Sequence, residues 1–211
     1  MPTADTTAPV RPRENGDGDE DVGFAGENVL VLEPADGDGG DVYCGERISP
    51  ANAAASPNAL LISIEESPDD RFDALRRSGV SCPANVAVVC CDETRGAAAA
   101  TPASGVGPGP TTGSWTTTVG SPADLTGLGV RIRQVLSSWE GAPQPVELCF
   151  HTLDTLLEHV DDRAAFRFCH LVTRHVRSVG ANSHFHLTAD AVDERTLNTL
   201  RPLFDRVEDR R

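Results

Sequence analysis

His184 and His186 stand two residues apart in the run Asn182-Ser183-His184-Phe185-His186-Leu187. In an extended strand that spacing turns both imidazoles to one face. His151 follows another apolar run, Val146–Phe150. If these three converge, with Asp154, Glu65 or Asp190 beside them, they could hold a transition metal through imidazole nitrogen and carboxylate oxygen. The same residues serve equally well as core or rim side chains, and no metal or cofactor is expected. His159, His170 and His175 fall on helical segments and are read as surface or packing residues. Six cysteines are present: Cys44, Cys82, Cys90, Cys91, Cys149 and Cys169. None forms a C-x-x-C pair. Cys90, Cys91 and Cys149 lie in apolar runs, where a free thiol packs as a small hydrophobe, so the cysteines are read as structural thiols.

A second chemical feature is the segment Glu33-Pro34-Ala35-Asp36-Gly37-Asp38-Gly39-Gly40-Asp41. Closely spaced glycines after a strand let backbone approach a phosphate. A phosphate loop also needs a lysine to reach the phosphates and a hydroxyl for Mg²⁺. All 18 basic residues are arginine, and no lysine occurs anywhere. Asp36, Asp38 and Asp41 would place like charge near a triphosphate, at up to about 4 kcal/mol per contact near 4 Å. The segment is therefore read as a solvated acidic turn that repels ATP. It is not a calcium loop, because the closing glutamate is missing. Neither G-x-S-x-G nor G-x-G-x-x-G occurs, apart from Val106-Gly107-Pro108-Gly109 in a low-complexity stretch.

The elements that must position these residues follow from hydrophobic patterning. Asn28–Glu33, Asn58–Ile64, Val86–Cys91 and Val146–Phe150 are short apolar runs suited to central parallel strands. Asn182–Leu187 is a more polar strand, Trp115–Val119 adds one, and Leu203–Val207 is expected at an edge. Ser67-Pro68-Asp69-Asp70 predicts a helix start, with a Ser cap, Pro at the first position and acids in the first turn. Ser121-Pro122-Ala123-Asp124 repeats that design. Leu153–Val179 is helical by its apolar spacing, with a break at Asp161-Asp162. Strands alternating with amphipathic helices predict an α/β fold: a three-layer, mostly parallel sheet covered on both faces, with sites at the carboxyl ends of the strands. Residues 1–25 are expected to be a disordered acidic tail. Residues 26–211 form one domain, with a flexible low-complexity loop at 96–114.

Two segments resemble the RecA/KaiC class of ATPase domains. Leu61–Gly79, LISIEESPDDRFDALRRSG, is similar to a KaiC-type strand ending in paired glutamates followed by Ser-Pro and a helix. Val146–Leu157, VELCFHTLDTLL, is similar to a Walker B strand and its continuation. With Asn28–Leu32 as first strand, the resemblance spans most of residues 27–208. The order of SPADLTGLG and SHFH-type segments also resembles degenerate RecA-like proteins of halophilic archaea. The resemblance implies a P-loop NTPase-like fold and puts the Walker lysine near Gly39 and its hydroxyl near Gly40. It puts the Mg²⁺-shell aspartate at His151, followed by Thr152, and the catalytic-base pair at Glu65 and Glu66. Gly37, Gly39, Gly40, Glu65, Glu66, His151 and Thr152 are then remnants of a nucleotide site, with no catalytic residue left.

Net charge is -14, from 32 acidic residues against 18 arginines, and aromatic content is 5%. Acid excess without lysine fits adaptation to high salt, where a Debye length of about 3 Å near 1 M damps self-repulsion. Without a basic stripe, nucleic acid is not an expected partner. No run approaches a membrane span and no apolar signal core is visible, so a cytoplasmic location is expected. The expected function is a non-catalytic, regulatory or signalling domain acting through an unknown protein partner, as monomer or dimer. The alternative is a nucleotide-binding protein or weak ATPase with a non-standard phosphate loop, using Arg47. A metal-dependent hydrolase built on His151, His184 and His186 is a third reading.

Overall fold

Asparagine opens four of the strands, and an apolar or partly apolar run follows each one. The computed structural model describes residues 26–35, 39–49, 56–77, 83–91 and 114–211. The expected tail at 1–25, the low-complexity segment 96–113, Gly37 and Cys82 lie outside the described residues. Seven strands form one sheet: β1 (Asn28–Glu33), β2 (Asn58–Ile64), β3 (Asn85–Cys91), β4 (Ser114–Val119), β5 (Val146–His151), β6 (Asn182–Thr188) and β7 (Arg206–Asp209). Their order is β4-β3-β2-β5-β6-β1-β7, and every pairing is parallel. β1 and β2 are buried along their whole length. A strand covered on both faces has no solvent side, which is why these segments read as continuous apolar runs. The asparagines hold the amino edge together. Asn85 Nδ2 donates to Asn58 Oδ1 at 2.6 Å, and Asn182 Oδ1 accepts from the Glu27 amide at 3.1 Å.

Helices cover both faces and complete a three-layer RecA-like α/β architecture. α3 (Leu125–Ser138), α4 (Leu153–His159), α5 (Asp162–Ser178) and α6 (Glu194–Leu200) pack over Leu30, Leu60, Leu148, Phe150 and Phe185 in the main core. α1 (Gly39–Ile48) and α2 (Pro68–Arg77) cover the other face, where the apolar clusters are small. The two consecutive strands β1 and β2 are not neighbours, because β5 and β6 lie between them. That insertion sets the carboxyl ends of β1, β6 and β5 side by side under α1.

Several local expectations need correction. The acidic Gly-rich segment is not a turn throughout: Gly39 and Gly40 open α1, held down by buried Tyr43, Cys44 and Ile48. Ser121 does not cap α3. The cap is Asp124, which accepts from the Gly127 amide at 2.8 Å. Ser114, expected at the end of a loop, is the first residue of β4. The chain after α6 makes a 3-10 turn at Arg201–Leu203, and the edge strand starts only at Arg206. The predicted break in the long helix is present. Val160 is extended and Asp161 caps α5, accepting from the Ala164 amide at 2.7 Å.

The segment leading into β7 is fastened to β1 and α5 through Asp205. Its carboxylate accepts from the Asn28 amide at 2.8 Å and from Arg177 at 2.5 Å. Partial burial opposes ionisation, but these hydrogen bonds outweigh it and hold the carboxyl below its usual range. A group depressed in the folded state contributes stability above its unfolded pKa and loses it as pH falls through the folded value. Asp205→Asn is expected to lower the denaturation midpoint at pH 7, with the gap to wild type closing as pH falls below about 4. A gap of constant size across the acid range would contradict this assignment.

Candidate functional site

The side chains on the α1 face of the inner strands are set by strand alternation. In β6, Phe185 and Leu187 point into the main core, which sends His184 and His186 to the opposite face. In β5, Leu148 and Phe150 go to the core, and Glu147, Cys149 and His151 share the face of the histidines. Register then aligns the groups: Cys149 pairs with His184 across β5 and β6, and Val31 pairs with His186 across β1 and β6. Glu33, two residues beyond Val31, lies diagonally from His186. Cys44 descends from α1 onto the same spot.

Four donors meet there. Cys44, Cys149, His184 and His186 are each 0% exposed, and their ligand atoms all lie within 4.8 Å of one another. Each imidazole is held from behind by a carboxylate. Nδ1 of His184 is 2.8 Å from Glu147 Oε1, and Nδ1 of His186 is 2.5 Å from Glu33 Oε1. Both Nε2 atoms are buried with no hydrogen-bond partner. Glu147 is itself gripped by Arg47 at 3.1 and 3.4 Å. The Tyr43 ring stands edge-on to both imidazoles, and Arg210 lies 4.6 Å over it.

The electrostatics divide the two thiols, favouring ionisation of one and opposing it in the other. Burial disfavours a Cys44 thiolate, but Cys149, His184 and His186 outweigh burial and hold this thiol well below its usual range. Cys149 is pushed well up by burial and by Cys44 beside it. Burial would neutralise His184, yet Cys44 and Glu147 raise it to about 9. Arg71, reaching in from α2, is 1% exposed; burial opposes its charge, and Cys149, Cys44 and Asp41 more than restore it. Its Nη1 donates to Asp41 at 2.6 Å, while Nε and Nη2 have no hydrogen-bond partner.

Of the residues expected as nucleotide-site remnants, Gly40 and His151 adjoin the groups around this cluster, Glu65, Glu66 and Thr152 are bonded to other partners, and Gly37 lies outside the described residues. The Glu33 carboxylate lies against the first turn of α1: a Cβ on Gly40 would fall 2.5 Å from Glu33 Oε2 and 2.7 Å from Oε1. Gly39 is the first residue of the same helix. His151, at the end of β5, is a neutral imidazole, lowered to about 2 by burial and by Arg71. Thr152 bonds Thr155 at 2.6 Å in the first turn of α4. Glu65 takes a positive φ of 65° and pairs with His159 at 2.7 Å, and Glu66 accepts from Ser63 at 3.4 Å. Asp41, expected to project unpaired charge, is instead paired with Arg71.

Of the three histidines weighed as a possible cluster, His184 and His186 meet. His151 stands edge-on to His186 at 5.3 Å between ring centroids but is outside the four-donor set. Asp154 accepts from the Thr188 amide at 3.2 Å, Glu65 is bound to His159 and Asp190 is exposed, so none of these joins them. The partners that sequence reasoning missed are Cys44 and Cys149, with Glu33 and Glu147 behind the imidazoles. A usable signal was present in Glu147-Leu148-Cys149 and His184-Phe185-His186, two strands with polar residues at period two inside otherwise apolar runs. Cys44 gave none, because α1 itself was not recognised. Arg47, offered as a substitute for the Walker lysine, sits in the last turn of α1 and is held by Glu147 and Glu27, far from the Gly40 end.

Solved structures with the same fold come from Pyrococcus horikoshii. The protein PH0321, described as uncharacterized and solved in complex with an unknown peptide, is 14% identical over 88% of this chain and 77% of its own, with a TM-score of 0.59. PH0250 from Pyrococcus horikoshii OT3 is 13% identical over 88% of this chain and 82% of its own, with a TM-score of 0.53. At that identity the likeness concerns the fold. No curated protein matches the sequence. The family of unknown function DUF7504 matches residues 26–208, and the chain belongs to that family.

Proposed function

We propose that this chain is a non-catalytic RecA/KaiC-like domain that works through contacts with a partner protein in regulation or signalling. The observation that carries the reading is the seat of Glu33. In a RecA-like ATPase the turn after the first strand and the start of the next helix receive phosphate. Here a carboxylate of the chain itself lies against that first turn, bonded to His186. A triphosphate would have to displace a buried negative group and would meet no lysine. The place of the Mg²⁺-shell aspartate carries His151, a neutral ring nitrogen donor where magnesium prefers oxygen. Glu65, the candidate base, is turned to His159.

The peptide held by PH0321 supports a protein-binding use of this fold. The acidic, lysine-free composition supports work in a salt-rich cytoplasm, in the manner of halophilic archaeal relatives. No helix among the described residues is long and apolar enough to cross a membrane.

ATP titration of the full chain in high KCl, with and without Mg²⁺, is expected to show no binding tighter than about 0.1 mM and no turnover. Tight, magnesium-dependent binding with hydrolysis would remove the proposal. Cross-linking in cells should recover a reproducible protein partner. Gly40→Ala tests the Glu33 seat independently. The new methyl must push the carboxylate off His186, at a cost of about 1–3 kcal/mol read by denaturant unfolding. An unchanged midpoint would show that Glu33 does not fill the first turn of α1.

A further inference from the structure

We propose that Cys44, Cys149, His184 and His186 bind one divalent transition-metal ion, zinc by preference, in a closed tetrahedral site inside the domain. The inference goes beyond the functional reading above and holds whatever partner the domain contacts. Three observations carry it.

The first is the donor set. Two thiols and two imidazoles from α1, β5 and β6 converge at full burial, with all ligand atoms within 4.8 Å. A tetrahedral zinc ion with bonds of about 2.3 Å to sulfur and about 2.0–2.1 Å to nitrogen places its ligands about 3.3–3.8 Å apart. Contraction by at most about 1–1.5 Å at the widest pair therefore closes the site. Sulfur and imidazole together select a borderline or soft ion such as zinc over magnesium or calcium.

The second is the orientation of the imidazoles. Glu147 and Glu33 each face the Nδ1 of a histidine, which turns Nε2 of both rings toward the two sulfurs as the atom that would ligate an ion once free of its proton. Carboxylate behind imidazole is the arrangement that fixes the tautomer of a metal-binding histidine and raises its basicity. The two Nε2 atoms are buried and unpartnered. A buried polar atom without a partner is destabilising, and here two of them occur in one pocket beside two sulfurs. An ion at the centre satisfies both at once.

The third is charge. Two thiolates neutralise a divalent ion, and the buried Arg71 guanidinium, with Nε and Nη2 unpaired, is placed to support the sulfurs. Four protein donors leave no position for water, so the ion holds structure together and does not activate a hydrolytic water. That sets this site apart from a hydrolase built on three histidines.

The test uses the full chain, purified with a phosphine reductant and analysed for bound metal, then stripped and titrated with Co²⁺ as probe and Zn²⁺ as competitor. About one equivalent of zinc is expected in the protein as purified. Co²⁺ should give the intense visible bands of a tetrahedral site and a thiolate charge-transfer band in the near ultraviolet, both abolished by Zn²⁺. Cys149→Ser should remove the charge-transfer intensity and leave less than about a tenth of an equivalent bound. Glu147→Gln keeps all four donors and so guards against a misfolded ligand variant; it should weaken Co²⁺ binding about 10–100-fold. His159→Gln, at an exposed histidine, should leave one equivalent bound. Wild-type protein with under about a tenth of an equivalent of transition metal and only a weak, octahedral Co²⁺ spectrum would overturn the proposal. So would Co²⁺ binding that is unchanged in both Cys149→Ser and Glu147→Gln.

Discussion

Two buried carboxylate–imidazole pairs, Glu33–His186 and Glu147–His184, organise the face of the sheet under α1. An ionised carboxylate out of water is tolerated only when its lone pairs are used. Each glutamate here lies on a different strand from its histidine, so the bonds can form only if β1 and β5 both flank β6. The strand order supplies that arrangement. Apolar pairing by itself specifies register weakly among strands that read alike, such as NVLVLE and NALLISI. A diagonal polar bond is satisfied at one register alone, and a shift of one residue would turn both histidines into the main core. The pairs thus contribute uniqueness to the sheet as well as energy.

The same pairs explain how a RecA-like frame can stand without phosphate. In this architecture the loop after β1 and the first turn of α1 form an anion site by geometry alone, through unsatisfied backbone amides and the helix dipole. Such a site must be filled by something. The Glu33 carboxylate lies against this first turn from within the chain and is bonded to His186. Function resides in sites grafted on a fold. The face under α1 in this chain is lined by sulfur and imidazole, from Cys44, Cys149, His184 and His186.

The strands and most helices could be read from the sequence because each signal was local. Apolar runs bounded by asparagine, the Ser67-Pro68 helix start and the Asp161-Asp162 break each depend on a few adjacent residues. α1 could not be read. Its first turn is Gly-Gly-Asp, poor in intrinsic helix propensity, and it is held by burial of Tyr43, Cys44 and Ile48 against strands far along the chain. Ser121-Pro122-Ala123-Asp124 misled for a different reason: serine and aspartate both cap helices, and the geometry of the turn gave the role to Asp124. At the site, alternation made the shared face of His184 and His186 legible. Their convergence with Cys44 and Cys149 depends on β5 and β6 being inserted between β1 and β2, which periodicity does not encode. The reading of the cysteines as small buried hydrophobes holds for Cys169, which packs in the main core. Cys44 and Cys149 also pack in a buried apolar cluster, with their sulfurs close to the nitrogens of His184 and His186.

The two faces of the sheet are stabilised by unlike means, and this bears on what the site does. Over α3, α4, α5 and α6 the core is broad and aromatic, with Phe150 stacked on Phe185 at 5.2 Å and Phe204 against it at 5.1 Å. Over α1 and α2 the apolar clusters are small: Cys44, Ile48, Ala59, Leu61, Val88 and Cys149 form one, Val29, Val31 and Tyr43 another. The rest of that interface is Glu33, Glu147, Arg71, Asp41 and the two histidines. At about 25 cal/mol per Å² of buried apolar surface, α1 receives far less from desolvation than α5 does. Its attachment combines burial of Tyr43, Cys44 and Ile48 with the polar bonds Arg47–Glu147 and Asp41–Arg71. With metal affinity linked to local folding, an ion bound at the proposed site would act chiefly on α1.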